Sequence, residues 1–186
     1  RWHKASATKP ALHIASGTGH AREQGGCVWF AKAAARCCSL NMNIRGYEGR
    51  DFAALYKLDQ SCFPAGIAYG KWAMQYFLSL PAAHCLVAED GKQIVGFILA
   101  EENPPLAHII TLDVAPGKRR SGLGSRLLEE IEKHFQFNEV HSVLLETAVD
   151  NESGIAFWEH HGYRTEAVLK RYYLGKVDAF EMRKRI

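Results

Sequence analysis

The chain has 186 residues, 47% of them hydrophobic and 23% charged, with 23 Lys and Arg against 20 Asp and Glu for a formal net charge of +3. This length suits one main domain with a sizeable core, and the charge is too small to argue for nucleic acid or anionic lipid as a bulk partner, so any anion site must be local. The five cysteines (Cys27, Cys37, Cys38, Cys62, Cys85) are odd in number without zinc-type spacing, and no run approaches the roughly 18 apolar residues of a membrane span, so a cytoplasmic protein with neither metal knuckle nor disulfide scaffold is expected.

Residues 1–41 mix small residues, glycine clusters and the Cys37-Cys38 pair with no sustained period, and read as an N-terminal extension, flexible or foreign to the domain. A regular pattern begins at Met42, which places the domain at 42–186. "MNIRGYE" predicts a short strand, and "GRDFAALYKLDQSCF" a helix that stops before Pro64. "GKWAMQYFLSL" predicts a second helix, ended by Pro81. "AHCLVAED" and "QIVGFILAEE" are β-rich runs joined by Asp90-Gly91, a hairpin signal, and "PLAHIITLDV" is a third. Over residues 122–135 the residues Leu123, Leu127, Leu128, Ile131 and Phe135 share one helical face. "HSVLLETAV" predicts a buried strand, "NESGIAFWEHH" a helix with an Asn cap, and the closing segment two strands around Gly175. The order β-α-α-β-β-β-α-β-α-β-β implies an α/β fold with a mixed, mostly antiparallel sheet and flanking helices.

The turn "VAPGKRRSGLGS" carries the chemistry. Glycines entering a helix leave backbone N–H groups open, the helix dipole adds partial positive charge, and Lys118, Arg119 and Arg120 stand just before them. Pyrophosphate is the natural guest. A P-loop needs Lys-Ser or Lys-Thr after its last glycine, whereas Gly124 is followed by Ser125-Arg126. A dinucleotide fingerprint needs a third glycine where Leu127 stands, and a strand ending at the first glycine. A glycine-rich helix start with surface basics is the plain alternative.

The remaining pattern, Arg119-x-x-Gly122-x-Gly124 after "LDVAP", resembles the acetyl-CoA pyrophosphate loop of the GNAT superfamily of N-acetyltransferases. The resemblance runs over most of 42–186 through "DQSCFP", "LDVAPGKRRSGLGSRLLEEIE", "LLETAVDNESGIAFWEHHGYR" and "KRYY" in order, and is nearest to the bacterial ribosomal-protein-alanine N-acetyltransferase group. It implies a GNAT-type fold with acetyl-CoA as cofactor. The backbone of Leu112, Asp113 and Val114 would hold the pantetheine arm and acetyl carbonyl. Arg119, Arg120, Ser121, Gly122, Leu123, Gly124 and Ser125 would cradle the pyrophosphate, and Asn151 would add a contact. The implied acceptor is a protein or peptide amine, reached by a monomer or homodimer without nucleic acid or membrane.

Acetyl transfer to an amine needs a base for the ammonium and a donor for the carbonyl oxygen. The resemblance puts the base at Glu146, with Asp113 next in line, and a bulge at Val114 would aim its N–H at the oxygen. Phe63, Tyr172 and Tyr173 fall in the segments that form the family's peptide groove, although strand neighbours face opposite sides, so one tyrosine is equally expected to pack on the sheet. The family's acid, a tyrosine, is replaced here by Trp158, whose indole cannot usefully give up a proton. Tyr163, Tyr172, Tyr173, His160 and His161 are near in sequence. A weak acyl-CoA-binding sensor and a small-molecule amine acetyltransferase are the alternatives.

Overall fold

The computed structural model describes residues 42–63 and 67–186. Seven strands form one sheet: β1 (Met42–Gly46), β2 (Ala83–Asp90), β3 (Gln93–Asn103), β4 (Leu106–Val114), β5 (Ser142–Ala148), β6 (Arg164–Tyr173) and β7 (Val177–Arg185). Four helices accompany them: α1 (Phe52–Cys62), α2 (Lys71–Ser79), α3 (Leu123–Phe137) and α4 (Glu152–His160). The predicted order of strands and helices is the observed one. Residues 1–41 and Pro64 lie outside the described residues, so the extension expected there is not addressed.

The spatial order is β1-β2-β3-β4-β5-β7-β6, antiparallel everywhere except between β4 and β5. Gly91 begins the tight link after Asp90 with φ 65, a conformation glycine adopts without a steric penalty. Further along, β7 inserts between β5 and β6.

The central strands are buried on both faces, which is why "QIVGFILA" reads as a nearly unbroken apolar run. Ile98 and Ala100 of β3 face one core, built with Leu127, Leu128, Ile131 and Phe135 of α3 and Trp158 of α4. Phe97 and Leu99 face the other, built with Leu55 and Leu58 of α1 and Met74 of α2. The five apolar α3 residues are at most 1% exposed, as their spacing predicts. The Asn151 side chain caps α4 by accepting from the Gly154 N–H at 3.2 Å. A Cβ at Gly154 would lie 2.2 Å from Asn151 Nδ2, so the cap and the glycine require each other.

Candidate active site

The site grows out of the place where the sheet divides. β4 and β5 share three rungs, Leu106 with Ser142, Ala107 with Val143 and His108 with Leu144. Past these, β4 continues along β3 to Val114 while β5 continues along β7, and the two part. Ile110 is an extra residue between the Leu99–Thr111 and Ala100–Ile109 pairs, a β-bulge that bends β4. The bulge is therefore at Ile110 and not at Val114, which still pairs with Gly96. The freed Ile110 carbonyl accepts from the Tyr69 hydroxyl at 3.2 Å. Val114 reaches the opening by another route. The Ala115 N–H donates to Val95 on β3 at 2.9 Å. Alternation along the strand then turns the Val114 N–H away from β3, into the opening.

Glu146 stands just past the last shared rung and is 8% exposed. Its Oε2 lies 2.7 Å from His108 Nε2, which projects from that rung on the facing strand. The Tyr172 hydroxyl of β6 hydrogen-bonds to the same carboxylate, and burial first, then the Glu146 charge, hold that phenol well above its usual value. Glu146 is thus a buried, partnered carboxylate and not a solvent-facing strand residue. Asp113, the other candidate base, is 1% exposed and accepts from Thr111 Oγ1 at 2.8 Å. Burial, reinforced by the Asp59 charge, raises its carboxyl well above the carboxylate range.

A cavity of about 870 Å³ lies between the end of β4 and the start of α3. Leu112, Asp113, Val114, Arg119, Arg120, Gly122, Gly124 and Ser125 line it, together with Cys62, Phe157 and His161, which the sequence reading passed over as cavity residues. Arg120 and Gly122 both have positive φ, 61 and 84, and α3 begins after Gly122 with no side-chain cap. The first-turn N–H groups of a helix have no partner within it, so this end of α3 is a concave set of donors beside three cationic residues. That arrangement fits a pyrophosphate. Arg119 Nε donates to the Val114 carbonyl at 3.0 Å, tying the basic turn to the strand end. His161 links α4 to α3 through Ser125 Oγ at 2.9 Å. Burial pushes the Cys62 thiol up to about 11, which leaves it a neutral wall and not a nucleophile.

Three predicted cofactor residues are placed differently. Ser121 is exposed with its hydroxyl donating to the Lys118 carbonyl at 2.7 Å. Leu123 is 1% exposed with its side chain in the core, so only its backbone faces the turn. Asn151 is committed to the α4 cap and to Thr147 Oγ1 at 3.2 Å.

The groove residues divide as well. Phe63 is buried in the core beneath α1 and α2. Tyr172 and Tyr173 both pack against the small cluster of Ala148, Ala179 and Ile67, contrary to the alternation expected of strand neighbours. The reason is a bulge: β6 loses register with β7 between Leu169 and Tyr173, where Arg171 adopts φ 52. The closing hairpin and the α1–α2 connection therefore meet beside Glu146.

Trp158 points inward. It is 0% exposed and packs edge-on against Tyr163 at 5.3 Å between ring centroids. Trp158→Tyr should therefore lose about 1–2 kcal/mol by leaving a partly filled gap, with no gain in turnover. Urea melts and kcat of the pair test this, and a faster, equally stable variant would contradict the packing role.

Asp59 supports the site from below. It is 0% exposed and its Oδ2 accepts from the Tyr69 N–H at 2.8 Å. Burial pushes its carboxyl up from 3.8 to about 7. Between those values the folded chain holds a proton that the unfolded chain releases, so this group lowers stability as pH rises through that window. Asp59→Asn should lack that decline, and the stability difference between the two proteins should level off above about pH 7 in denaturant melts.

Comparison with known proteins gives a consistent picture. The Acetyltransferase (GNAT) family model matches residues 52–163. An uncharacterised N-acetyltransferase of Methanocaldococcus jannaschii is 30% identical over 150 residues, covering 77% of this chain and 92% of that one. The N-alpha-acetyltransferase RimI of Mycobacterium tuberculosis is 30% identical over 112 residues, 58% of this chain and 69% of the relative. The crystal structure of the ribosomal-protein-S18-alanine N-acetyltransferase from Escherichia coli has the same fold, with a TM-score of 0.71 at 22% identity over 78% of this chain and 94% of that one.

Proposed function

We propose that this chain, which belongs to the acetyltransferase (GNAT) family and uses acetyl-CoA, acetylates the α-amine of a protein or peptide N-terminus. The observation that carries the reading is Glu146, buried where β4 and β5 part and joined to His108 at 2.7 Å. Bound acetyl-CoA supplies an activated thioester acetyl group. Everything else falls to the chain's own residues.

The uncapped start of α3, with Lys118, Arg119 and Arg120, holds the pyrophosphate. The Val114 N–H, turned into the opening, donates to the carbonyl oxygen as charge builds on it. Glu146 removes the proton from the incoming ammonium at its carboxylate, and His108 Nε2 shares or relays it. Tyr172 fixes the orientation of Glu146 and, backed by the buried Tyr173, forms with Ile67 the wall that a peptide backbone meets. The similarity to an N-alpha-acetyltransferase supports the α-amine over other acceptors.

We place the catalytic domain at 42–186, preceded by an extension, and propose that it works in the cytoplasm as a monomer or homodimer, without nucleic acid or membrane. No helix among the described residues is long and apolar enough to cross a membrane. The test is single-turnover acetyl transfer to an α-amine peptide, a lysine peptide blocked at its N-terminus, and spermidine side by side. The α-amine peptide should react fastest. Preference for spermidine would make the enzyme a small-amine acetyltransferase, and bound acetyl-CoA with no product in any arm would make the domain a sensor.

A further inference from the structure

On the α3 side of the sheet, away from the cavity just described, three side chains from three elements converge. His84 of β2 pairs with Ala100 of β3, so Glu102, two residues beyond, projects from the same face beside it. The last turn of α3 lays His134 over both. His84 Nε2 and His134 Nε2 each lie 3.1 Å from Glu102 Oε2, and 3.3 Å from one another. The three ligand atoms thus form a nearly equilateral triangle.

Hydrogen bonding accounts for only one side of this triangle: His84 Nε2 and His134 Nε2 are within reach of each other, and Asn138 Nδ2 lies 3.1 Å from His134 Nε2, but neither contact serves Glu102. Glu102 is 9% exposed, and its Oε2 has no hydrogen-bond partner of acceptable geometry among the described residues, although two ring nitrogens stand beside it. A buried carboxylate oxygen left in that condition is costly. A divalent cation removes the cost. With bonds of about 2.0–2.2 Å, tetrahedral Zn²⁺ holds neighbouring ligands about 3.3–3.5 Å apart, close to the separations found.

We propose that His84, Glu102 and His134 bind one Zn²⁺ through Nε2, Oε2 and Nε2, with a fourth position for water. Both histidine side chains remain more than a third exposed, at 37% and 40%, and line a groove of about 650 Å³ with Arg126 and Glu130, which gives the ion a way in. The bound ion ties β2 and β3 to the C-terminal end of the helix whose other end forms the pyrophosphate turn. It takes no part in acetyl transfer, so the site stands or falls independently of the proposed activity.

The test uses the full chain, stripped with chelator and titrated with Zn²⁺ alone in a calorimeter. One equivalent should bind, and Tm should rise by about 5–10 °C at a free Zn²⁺ concentration about 100 times Kd. Glu102→Gln keeps the shape of the side chain and should weaken binding at least about 100-fold, beyond the effect of losing an outer-shell partner. His84→Ala should do the same. Co²⁺ in place of Zn²⁺ should give the visible absorption of a low-coordinate site, and Glu102→Gln should abolish it. The five cysteines and the seven other histidines of the chain are the competing ligands. Stoichiometric binding that survives unchanged in Glu102→Gln and His84→Ala would put the ion elsewhere and overturn the proposal, as would the absence of stoichiometric binding to the stripped chain.

Discussion

Replacing Glu146 by Gln should lower kcat by about 10²–10⁴-fold at neutral pH while acetyl-CoA affinity stays as it was. The amide keeps the shape of the side chain and can still accept from Tyr172, but it takes no proton. His108 shares the same 2.7 Å contact, so His108→Ala should also slow turnover. Residues that act as a unit are not additive. The double variant should therefore be little worse than Glu146→Gln alone. Steady-state rates on an α-amine peptide, with acetyl-CoA Kd measured separately, read all three. Unimpaired turnover in Glu146→Gln would remove the base from this position and make Asp113 the next residue to replace.

The second large effect is expected at Gly124. A Cβ there would sit 3.4 Å from Phe157 Cε2 and 3.8 Å from Val114 Cγ2, in ordinary contact with the wall, so the further methyl groups of Val must enter the cavity. Overpacking of that kind costs about 1–3 kcal/mol, which corresponds to about a fivefold to 150-fold rise in acetyl-CoA Kd. Gly124 is helical, so the fold should tolerate the change, and Tm in the absence of ligand should move little. Gly122→Val is a poorer probe, because φ 84 strains a branched side chain whatever the ligand does. A folded Gly124→Val protein with wild-type affinity would exclude the pyrophosphate from this turn.

Local chemistry explains which features the sequence disclosed. The apolar face of α3, the Asn151 cap and the Asp90-Gly91 link each rest on residues a few positions apart, and each appears where expected. Glu146 could be singled out because a carboxylate in "LLETAV" is conspicuous. His108 could not be, because an isolated His in an apolar run gives no sign of a partner 38 residues away. The bulges at Ile110 and near Arg171 were hidden for a related reason. Each depends on how two strands pair, so the alternation rule misassigned Tyr172 and Tyr173, and the expected bulge fell on Val114. Trp158 was judged by the family position it occupies, whereas the packing of α4 on the sheet decides where its ring goes.

The three rungs between β4 and β5 also have a geometric consequence. They join two larger plates, β1 to β4 and β5 with β7 and β6, and past that short seam the plates are held together by packed side chains rather than by β4–β5 ladder bonds. His108 lies on the seam and Glu146 one pleat beyond it, while Val114 lies about 17 Å from the seam along β4, with the basic turn after it. The space between the two strands therefore widens from the His108–Glu146 pair toward Val114, leaving room for a bulky group at one end while the carboxylate and imidazole are fixed where the strands still pair.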